Sequence, residues 1–159
     1  MMSFVLLIAH IIQDKMIVRE KYIYTKRATV AEVVNNASSQ RFLKDSLMDK
    51  NPPYRQPFIQ VKISPLNFRV IGLTTEIIPG VYLIQLNSQY PVERLQRTFF
   101  HELVHVYQMH NGMLKEGIGL VFWMGQLSTW NQPWKERPWE IHAEKWTDEM
   151  FVPNEPICE

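Results

Sequence analysis

The most constraining feature of this 159-residue chain is the pentapeptide His101-Glu102-Leu103-Val104-His105, which lies in a segment with helical apolar periodicity. Side chains four residues apart project from the same face of an α-helix, one turn above the other. The two imidazoles can therefore reach one metal ion, and the Glu102 carboxylate projects beside it as a candidate general base. The pentapeptide predicts a metal-binding helix.

The residues around the pentapeptide predict a helix from about Pro91 to Asn111. Pro91 suits the first helical turn, and Gly112 suits the position just past the end. On the helical wheel one stripe is apolar and the opposite stripe is polar and carries both histidines. The apolar stripe comprises Val92, Leu95, Phe99, Leu103 and Val106, and the polar stripe comprises Arg94, Thr98, His101, His105 and Gln108. We expect the histidines to face away from the core.

A catalytic zinc site needs three protein ligands and one open position, so a third ligand is expected downstream. The extended pattern HExxHxxGxxH would require glycine at 108 and histidine at 111. This chain has Gln108 and Asn111 instead, so that pattern does not fit. His110 lies half a turn of the wheel from His101, and we interpret it as a packing or surface histidine.

A second helix supplies carboxylates for the third position. Pro138 suits an early helical position, and Glu140 and Glu144 then lie one turn apart on one face. His142 is turned by about 200° to the opposite side, so it either binds the metal alone or takes no part. Glu140 is the preferred third ligand, and His142 is the alternative.

On these residues the chain resembles the gluzincins, the thermolysin-like zinc peptidases in which ExxxD or ExxA follows HExxH. The element Glu140-Ile141-His142-Ala143-Glu144 has glutamate where that group usually has aspartate. The resemblance implies Glu140 as the third zinc ligand and Glu144 as an outer carboxylate that orients a ligand histidine. The spacing from His105 to Glu140 is longer than in thermolysin.

The stretch from about Gly72 to Met150 is also similar to very short metallopeptidases of bacteria and their phages, including SprT-like and minimal gluzincin proteins. The resemblance implies a zinc peptidase that acts on a peptide or protein substrate, with Glu102 as general base for a zinc-activated water. The resemblance does not indicate which residue would stabilise the oxyanion. Tyr107 points away from the metal face, while Tyr82, Tyr90 or a connecting-loop residue are open alternatives.

A second hypothesis is a zinc-bearing structural protein, such as a virion or assembly component, that hydrolyses nothing. Glu102 argues against it, because a purely structural zinc has no use for a general base and prefers four closed ligands. A third is a latent peptidase whose tail, Pro153 to Glu159, covers the cleft.

Length and composition predict one globular domain over residues 1–159, with 46% hydrophobic residues. A formal charge of +1 gives no sign of a strongly basic surface that would bind nucleic acid or an anionic membrane. The single cysteine, Cys158, rules out an intramolecular disulfide. The apolar stretch Met1–Ile12 lacks a basic leader region and a cleavage site, so we interpret it as a buried strand or helix start. We therefore expect a cytoplasmic protein, or a virion-associated one if it is phage-encoded.

Capping residues, alternating apolar residues and proline and glycine positions predict the remaining elements of an α+β fold. Thr29-Val30-Ala31-Glu32 is a capping box that opens a helix to about Met48. Strands are predicted at Phe58–Ser64, at Phe68–Gly72, and at Glu76–Asn87 with an interruption at Pro79-Gly80. The expected architecture is a minimal zincin fold, in which a small, mostly antiparallel sheet packs on the HELVH helix and on the glutamate helix, which ends near Phe151. The resemblance also implies substrate addition to a strand edge, for which Val81–Leu86 is a candidate.

All five tryptophans fall between Trp123 and Trp146. They predict a packed core that joins the connecting region to the active-site helix, or alternatively a rim for substrate side chains. The stretch Gly117–Gly125 fits either a mobile lid or pocket wall, or a buried helix.

Overall fold

The computed structural model describes residues 28–48 and 56–153. Within these ranges the fold is mixed α+β, with four α-helices and two three-stranded sheets. The apolar stretch Met1–Ile12, Cys158 and the tail from residue 154 onward lie outside the described residues. None of the described helices is both long enough and apolar enough to cross a membrane.

The first helices differ from the single helix predicted to Met48. The capping box forms as predicted: Glu32 N donates to Thr29 Oγ1 at 3.2 Å, and Thr29 N donates to Glu32 Oε2 at 2.9 Å. Helix α1 (Val30–Val34) ends after five residues, and α2 (Ala37–Phe42) begins anew and continues as a π-helical segment, Leu43–Met48. The single helix was wrong because the Asn36 side chain accepts from two backbone N–H groups and so caps a new helix.

The first sheet comprises β1 (Phe58–Ser64), β2 (Gly72–Ile78) and β3 (Val81–Asn87), in the order β1-β3-β2. Strand β1 has the predicted bounds, and Pro79-Gly80 forms the predicted interruption between β2 and β3. The sheet is not mostly antiparallel, because β1 runs parallel to β3 and only β2 runs antiparallel to it.

Two predictions for this sheet were wrong. Residues 68–71 form a turn rather than a strand, because Asn67 Oδ1 accepts from Arg69 N and the buried Asn87 amide donates to Val70 O at 2.9 Å. Val81–Leu86 is not an edge, because β3 lies between β1 and β2 and pairs with both. Among the described residues, the edge strand beside the HELVH helix is β2.

The main core lies between the first sheet and α3 (Val92–His110). Alternate residues of β3 are buried, as expected for a strand with one face on a core. The buried cluster includes Tyr82, Ile84 and Leu86 from β3, Leu95, Phe99, Leu103 and Val106 from α3, and Val33, Val34, Phe42 and Leu47 from the N-terminal helices. Helix α3 is therefore anchored through the apolar stripe that its sequence predicts.

The stretch around Gly117–Gly125 contributes to a second, antiparallel sheet and not to a helix. Its strands are β4 (Leu114–Gly117), β5 (Leu120–Trp123) and β6 (Gln126–Ser128). The buried helix was wrong because the tight turns between these strands use positive φ angles, at Gly119 (+71°) and at Met124-Gly125 (+52° and +81°), which favour hairpins. The chain then passes through a short 3₁₀ turn, Trp134–Glu136, into α4 (Pro138–Met150).

Four of the five tryptophans divide into a pair that packs inside the protein and a pair that lines a cavity. Trp139 is fully buried against the second sheet, and Trp146 packs on Tyr107 and Phe42. Trp130 and Trp134 are 36% and 47% exposed and line the cavity described below. One group therefore joins α4 to the body of the protein, and the other lies at the rim.

Candidate metal centre

The two histidines of the HELVH segment lie one turn apart on α3, which begins after Pro91 and ends just before Gly112, whose φ is +69°. The Nε2 atoms of His101 and His105 are 3.1 Å apart. Both side chains face away from the main core, as the helical wheel predicts, yet each is over 90% buried. They are buried because α4 and the second sheet cover this side of α3.

Helix α4 brings Glu140 to the two histidines. Pro138 occupies the first turn, so Glu140 lies near the start of the helix. Glu140 Oε2 is 3.2 Å from the Nε2 atoms of both His101 and His105. These three buried side chains present donor atoms that lie within 4.8 Å of one another, and they could hold a metal ion.

The outer nitrogen of each ring has its own partner. His101 Nδ1 lies 3.3 Å from Glu144 Oε2, and the other Glu144 oxygen accepts from Arg97 at 2.6 Å. His105 Nδ1 lies 2.9 Å from Gln108 Oε1. A neutral imidazole that donates through Nδ1 presents a lone pair at Nε2. With Nδ1 protonated on both rings, two nitrogen lone pairs and one carboxylate oxygen converge on one point, where a metal ion could bind.

The pKa shifts of His105 and Glu140 show that their surroundings favour a positive charge beside a negative one. Burial alone would lower the pKa of His105, but the hydrogen bond to Glu140 and the negative charges of Glu102 and Glu140 raise it to about 9. Burial alone would raise the pKa of Glu140, but hydrogen bonds from His101 and His105 lower it to about 2. The pocket therefore stabilises a cation beside an ionised carboxylate.

Glu102 lies beside the three converging groups and is only 6% exposed. The hydroxyl of Thr74, on β2, donates to Glu102 Oε2 at 2.7 Å. On the other side, a Cβ atom at Gly72 would lie 2.6 Å from Glu102 Oε1, so only glycine leaves room there. Strand β2 therefore holds the Glu102 carboxylate in one orientation.

The site opens into a cavity of about 540 Å³. One wall is the edge of β2 with the turn before it, and the others come from the second sheet and the connecting region. Glu116 of β4 lines it, and burial with the charge of Glu76 raises the pKa of Glu116, partly offset by His105. The residues of the second sheet that line the cavity are Leu114 and Glu116, and no residue of the stretch Gly117–Gly125 is among the lining residues. A volume of this size is typical of ligand-binding clefts.

The structure brings His101, Glu102, His105, Glu140 and Glu144 together and leaves the other sequence candidates apart. His142 Nδ1 lies 3.0 Å from Gln108 Nε2, and its ring packs on Trp146.

His110 and the two candidate oxyanion donors also lie elsewhere. His110 lies 3.4 Å from the hydroxyl of Tyr82, whose pKa is raised by burial and by Glu76. The Tyr90 hydroxyl donates to the Phe68 carbonyl. Neither tyrosine lines the cavity.

Sequence reasoning missed several residues of the site. Gln108 was assigned only to the polar stripe, although its position three residues after His105 places it within reach of that ring. Gly72 and Thr74 carried no signal, because their contacts with Glu102 join segments about thirty residues apart. Comparison of the chain with family models, curated protein sequences and solved structures finds no match.

Proposed function

We propose that this protein is a zinc-dependent peptidase in which His101, His105 and Glu140 hold the metal and Glu102 is the general base. One observation carries the proposal: three buried atoms of the types that ligate metals face one another at mutual distances of 3.1, 3.2 and 3.2 Å. Donors placed tetrahedrally at about 2.0–2.1 Å from zinc lie about 3.3–3.4 Å from one another. The spacing of the side chains therefore fits a zinc ion.

The chemistry of the donors supports zinc among the divalent metals. Two imidazoles and one carboxylate are a common ligand set of catalytic zinc, whereas magnesium and calcium prefer oxygen ligands alone. Three protein ligands leave a fourth position open, and the ligands line the cavity. A structural zinc would instead have four protein ligands, and the metal-ligand group of the described residues has three.

Zinc, when bound in such a site, supplies a water of lowered pKa and a Lewis acid for the scissile carbonyl. Glu102 accepts the proton of that water and later donates it to the leaving amine. The Thr74 hydroxyl holds Oε2 of Glu102, which leaves Oε1 as the oxygen available to the proton. The low exposure of Glu102 strengthens these interactions, because the surroundings screen charge less than water does.

The edge of β2 supports an extended peptide as the substrate. Among the described residues β2 pairs with β3 only, so the backbone groups on its outer side are available to a further strand. Leu73 and Thr74 of this strand line the cavity together with the ligands. A peptide added to this edge would extend the sheet across the site, a common mode of peptide recognition.

The test combines metal content with hydrolysis. Protein expressed with ample zinc should contain one zinc per chain by elemental analysis, and it should cleave an unfolded protein such as denatured casein. Glu102→Gln should keep the zinc and the fold but lose hydrolysis, because the substitution removes a base and no ligand. Glu93→Gln, an exposed carboxylate in the first turn of the same helix, is the matched control and should cleave like the wild type.

Each failure has a distinct meaning. Zinc-free protein after zinc-replete expression would contradict the metal centre. Equal cleavage by the wild type and Glu102→Gln would contradict the role of the base. A zinc-loaded wild type that cleaves no member of a broad peptide library would favour the structural hypothesis.

A further inference from the structure

Gln108 is completely buried, yet every polar atom of its side chain has a partner. Its Oε1 lies 2.9 Å from His105 Nδ1. Its Nε2 lies 2.9 Å from the backbone carbonyl of Trp139 and 3.0 Å from His142 Nδ1. One amide therefore connects the HELVH helix to the helix that carries Glu140.

The Trp139 carbonyl determines which way this amide points. A backbone carbonyl can only accept a hydrogen bond, so the group facing it must be the amide nitrogen. The oxygen of Gln108 must then face His105, where it can only accept, and the proton of the contact belongs to His105 Nδ1. A neutral His105 with its proton on Nδ1 has its lone pair on Nε2, which faces His101 and Glu140.

We propose that Gln108 is a positioning residue for the metal centre: it fixes His105 as the Nδ1-protonated tautomer and holds α4 at the distance that lets Glu140 join the two histidines. This inference rests on the proposed metal centre. The same amide reaches the ring of one ligand and the backbone carbonyl directly before another. Removing it disturbs both the tautomer of His105 and the position of Glu140.

The two histidines thereby have different outer partners. The Nδ1 of His101 faces Glu144, which is partly exposed and shared with Arg97. The Nδ1 of His105 faces a neutral amide that no solvent reaches. An amide orients a ring without adding negative charge, so Gln108 acts through geometry rather than through ligand basicity.

The wild-type protein gives the first test and needs no variant. Long-range ¹H–¹⁵N correlation spectra of the zinc-loaded protein should show His105 with its proton on Nδ1 and with Nε2 bound to zinc. A His105 that binds zinc through Nδ1 would overturn the inference and leave the metal centre in place. A wild type that binds no zinc would overturn both.

The second test measures zinc affinity by competition with a chromophoric chelator. Gln108→Met keeps the length of the side chain and removes the amide, and we expect it to weaken zinc binding roughly 10- to 100-fold, the usual effect of losing an outer partner of a ligand. Gln108→Glu keeps an acceptor for His105 but loses both donors, so its affinity should fall between those of Gln108→Met and the wild type.

Gln96→Met is the matched control. Gln96 lies on the same helix, its amide donates to the Glu32 carbonyl at 2.8 Å, and it does not line the cavity. This substitution should lower the melting temperature without changing zinc affinity. Gln108→Met protein that binds zinc within about twofold of the wild type, with the same His105 tautomer, would overturn the inference while the proposed function stands.

Discussion

The Thr74 hydroxyl donates a 2.7 Å hydrogen bond to Glu102 Oε2, and so connects strand β2 of the first sheet to the carboxylate beside the proposed metal ligands. Thr74 is 7% exposed and Glu102 is 6% exposed, so water does not replace this contact easily. A buried carboxylate that loses its donor is costly to leave unsatisfied. The orientation of the proposed base therefore depends on β2, the strand beside which we propose that the substrate peptide binds.

Replacing Thr74 with valine should lower kcat roughly tenfold with little change in zinc content, because the substitution keeps the shape and removes the hydroxyl. Thr74→Ser should restore most of the activity. Thr75→Val, at the exposed next position of the strand, is the control for β-sheet effects. Equal losses of kcat in Thr74→Val and Thr75→Val would contradict a specific role for the hydroxyl.

Gly72→Ala should lower the free energy of unfolding by about 1–3 kcal/mol, because the added methyl group overpacks the space beside Glu102. It should also lower peptide hydrolysis, because the Glu102 carboxylate must move. The added Cβ would lie 2.6 Å from both Glu102 Oε1 and Thr98 Cγ2. Urea unfolding measures the stability. Gly117→Ala is the control, since a Cβ there meets no atom within 4 Å, and its free energy of unfolding should stay near that of the wild type. A Gly72→Ala protein as stable and active as Gly117→Ala would show that the gap tolerates a methyl group.

The local part of the site could be predicted from the sequence, and the nonlocal part could not. The spacing within HELVH and between Glu140 and Glu144 determines which side chains share a helix face, because helical geometry depends only on residue separation. The pairing of β1 with β3 joins segments separated by β2, and no pattern in either strand specifies that partner. The same holds for Thr74, whose side chain reaches Glu102 only after the strand order is established.

Other differences between the predicted and the observed elements have local causes in the chain. Asn36 follows Asn35 in the middle of an apolar-periodic segment, and its capping side chain interrupts the helix. The turns near Gly119 and Gly125 delimit strands of only three or four residues, too short for alternation to be recognised. The long apolar periodicity of α3 predicts that helix, whereas the short strands are defined by the residues of their turns.

Glu144→Ala should weaken zinc binding roughly 10- to 100-fold, because it removes the carboxylate that faces His101 Nδ1. Asp148→Ala is a close control. Both carboxylates accept from Arg97 at 2.6 Å, but only Glu144 also reaches a histidine. Chelator competition should therefore separate the two variants. Similar zinc affinities in Glu144→Ala and Asp148→Ala would mean that the contact with His101 contributes nothing to metal binding.

The stability of EDTA-treated protein should depend on pH through Glu140 and His105. The pKa of Glu140 is lowered from 4.5 to about 2, so its contribution is complete above pH 4.5 and is lost as the pH falls toward 2. The pKa of His105 is raised from 6.5 to about 9, so its contribution is complete below pH 6.5 and is lost as the pH rises through 9. Both contributions are present together between pH 4.5 and 6.5.

Urea unfolding across this range measures the effect. Glu140→Gln should flatten the decline in the free energy of unfolding between pH 6.5 and 9, because it removes a negative charge that raises the pKa of His105. In the wild type, added zinc should abolish the decline between pH 6.5 and 9, because zinc replaces the proton that His105 holds beside Glu140. An unchanged alkaline slope in Glu140→Gln would contradict the coupling of these two side chains.

The identity of the metal ligands is tested most directly by anomalous diffraction at the zinc edge from crystals grown with zinc. We predict one peak per chain, bound by His101 Nε2, His105 Nε2 and Glu140 at about 2.0–2.2 Å, with a non-protein ligand on the cavity side. A peak bound by His142, with Glu140 turned to solvent, would contradict the ligand assignment. The absence of any peak at His101 and His105 would contradict the metal centre itself.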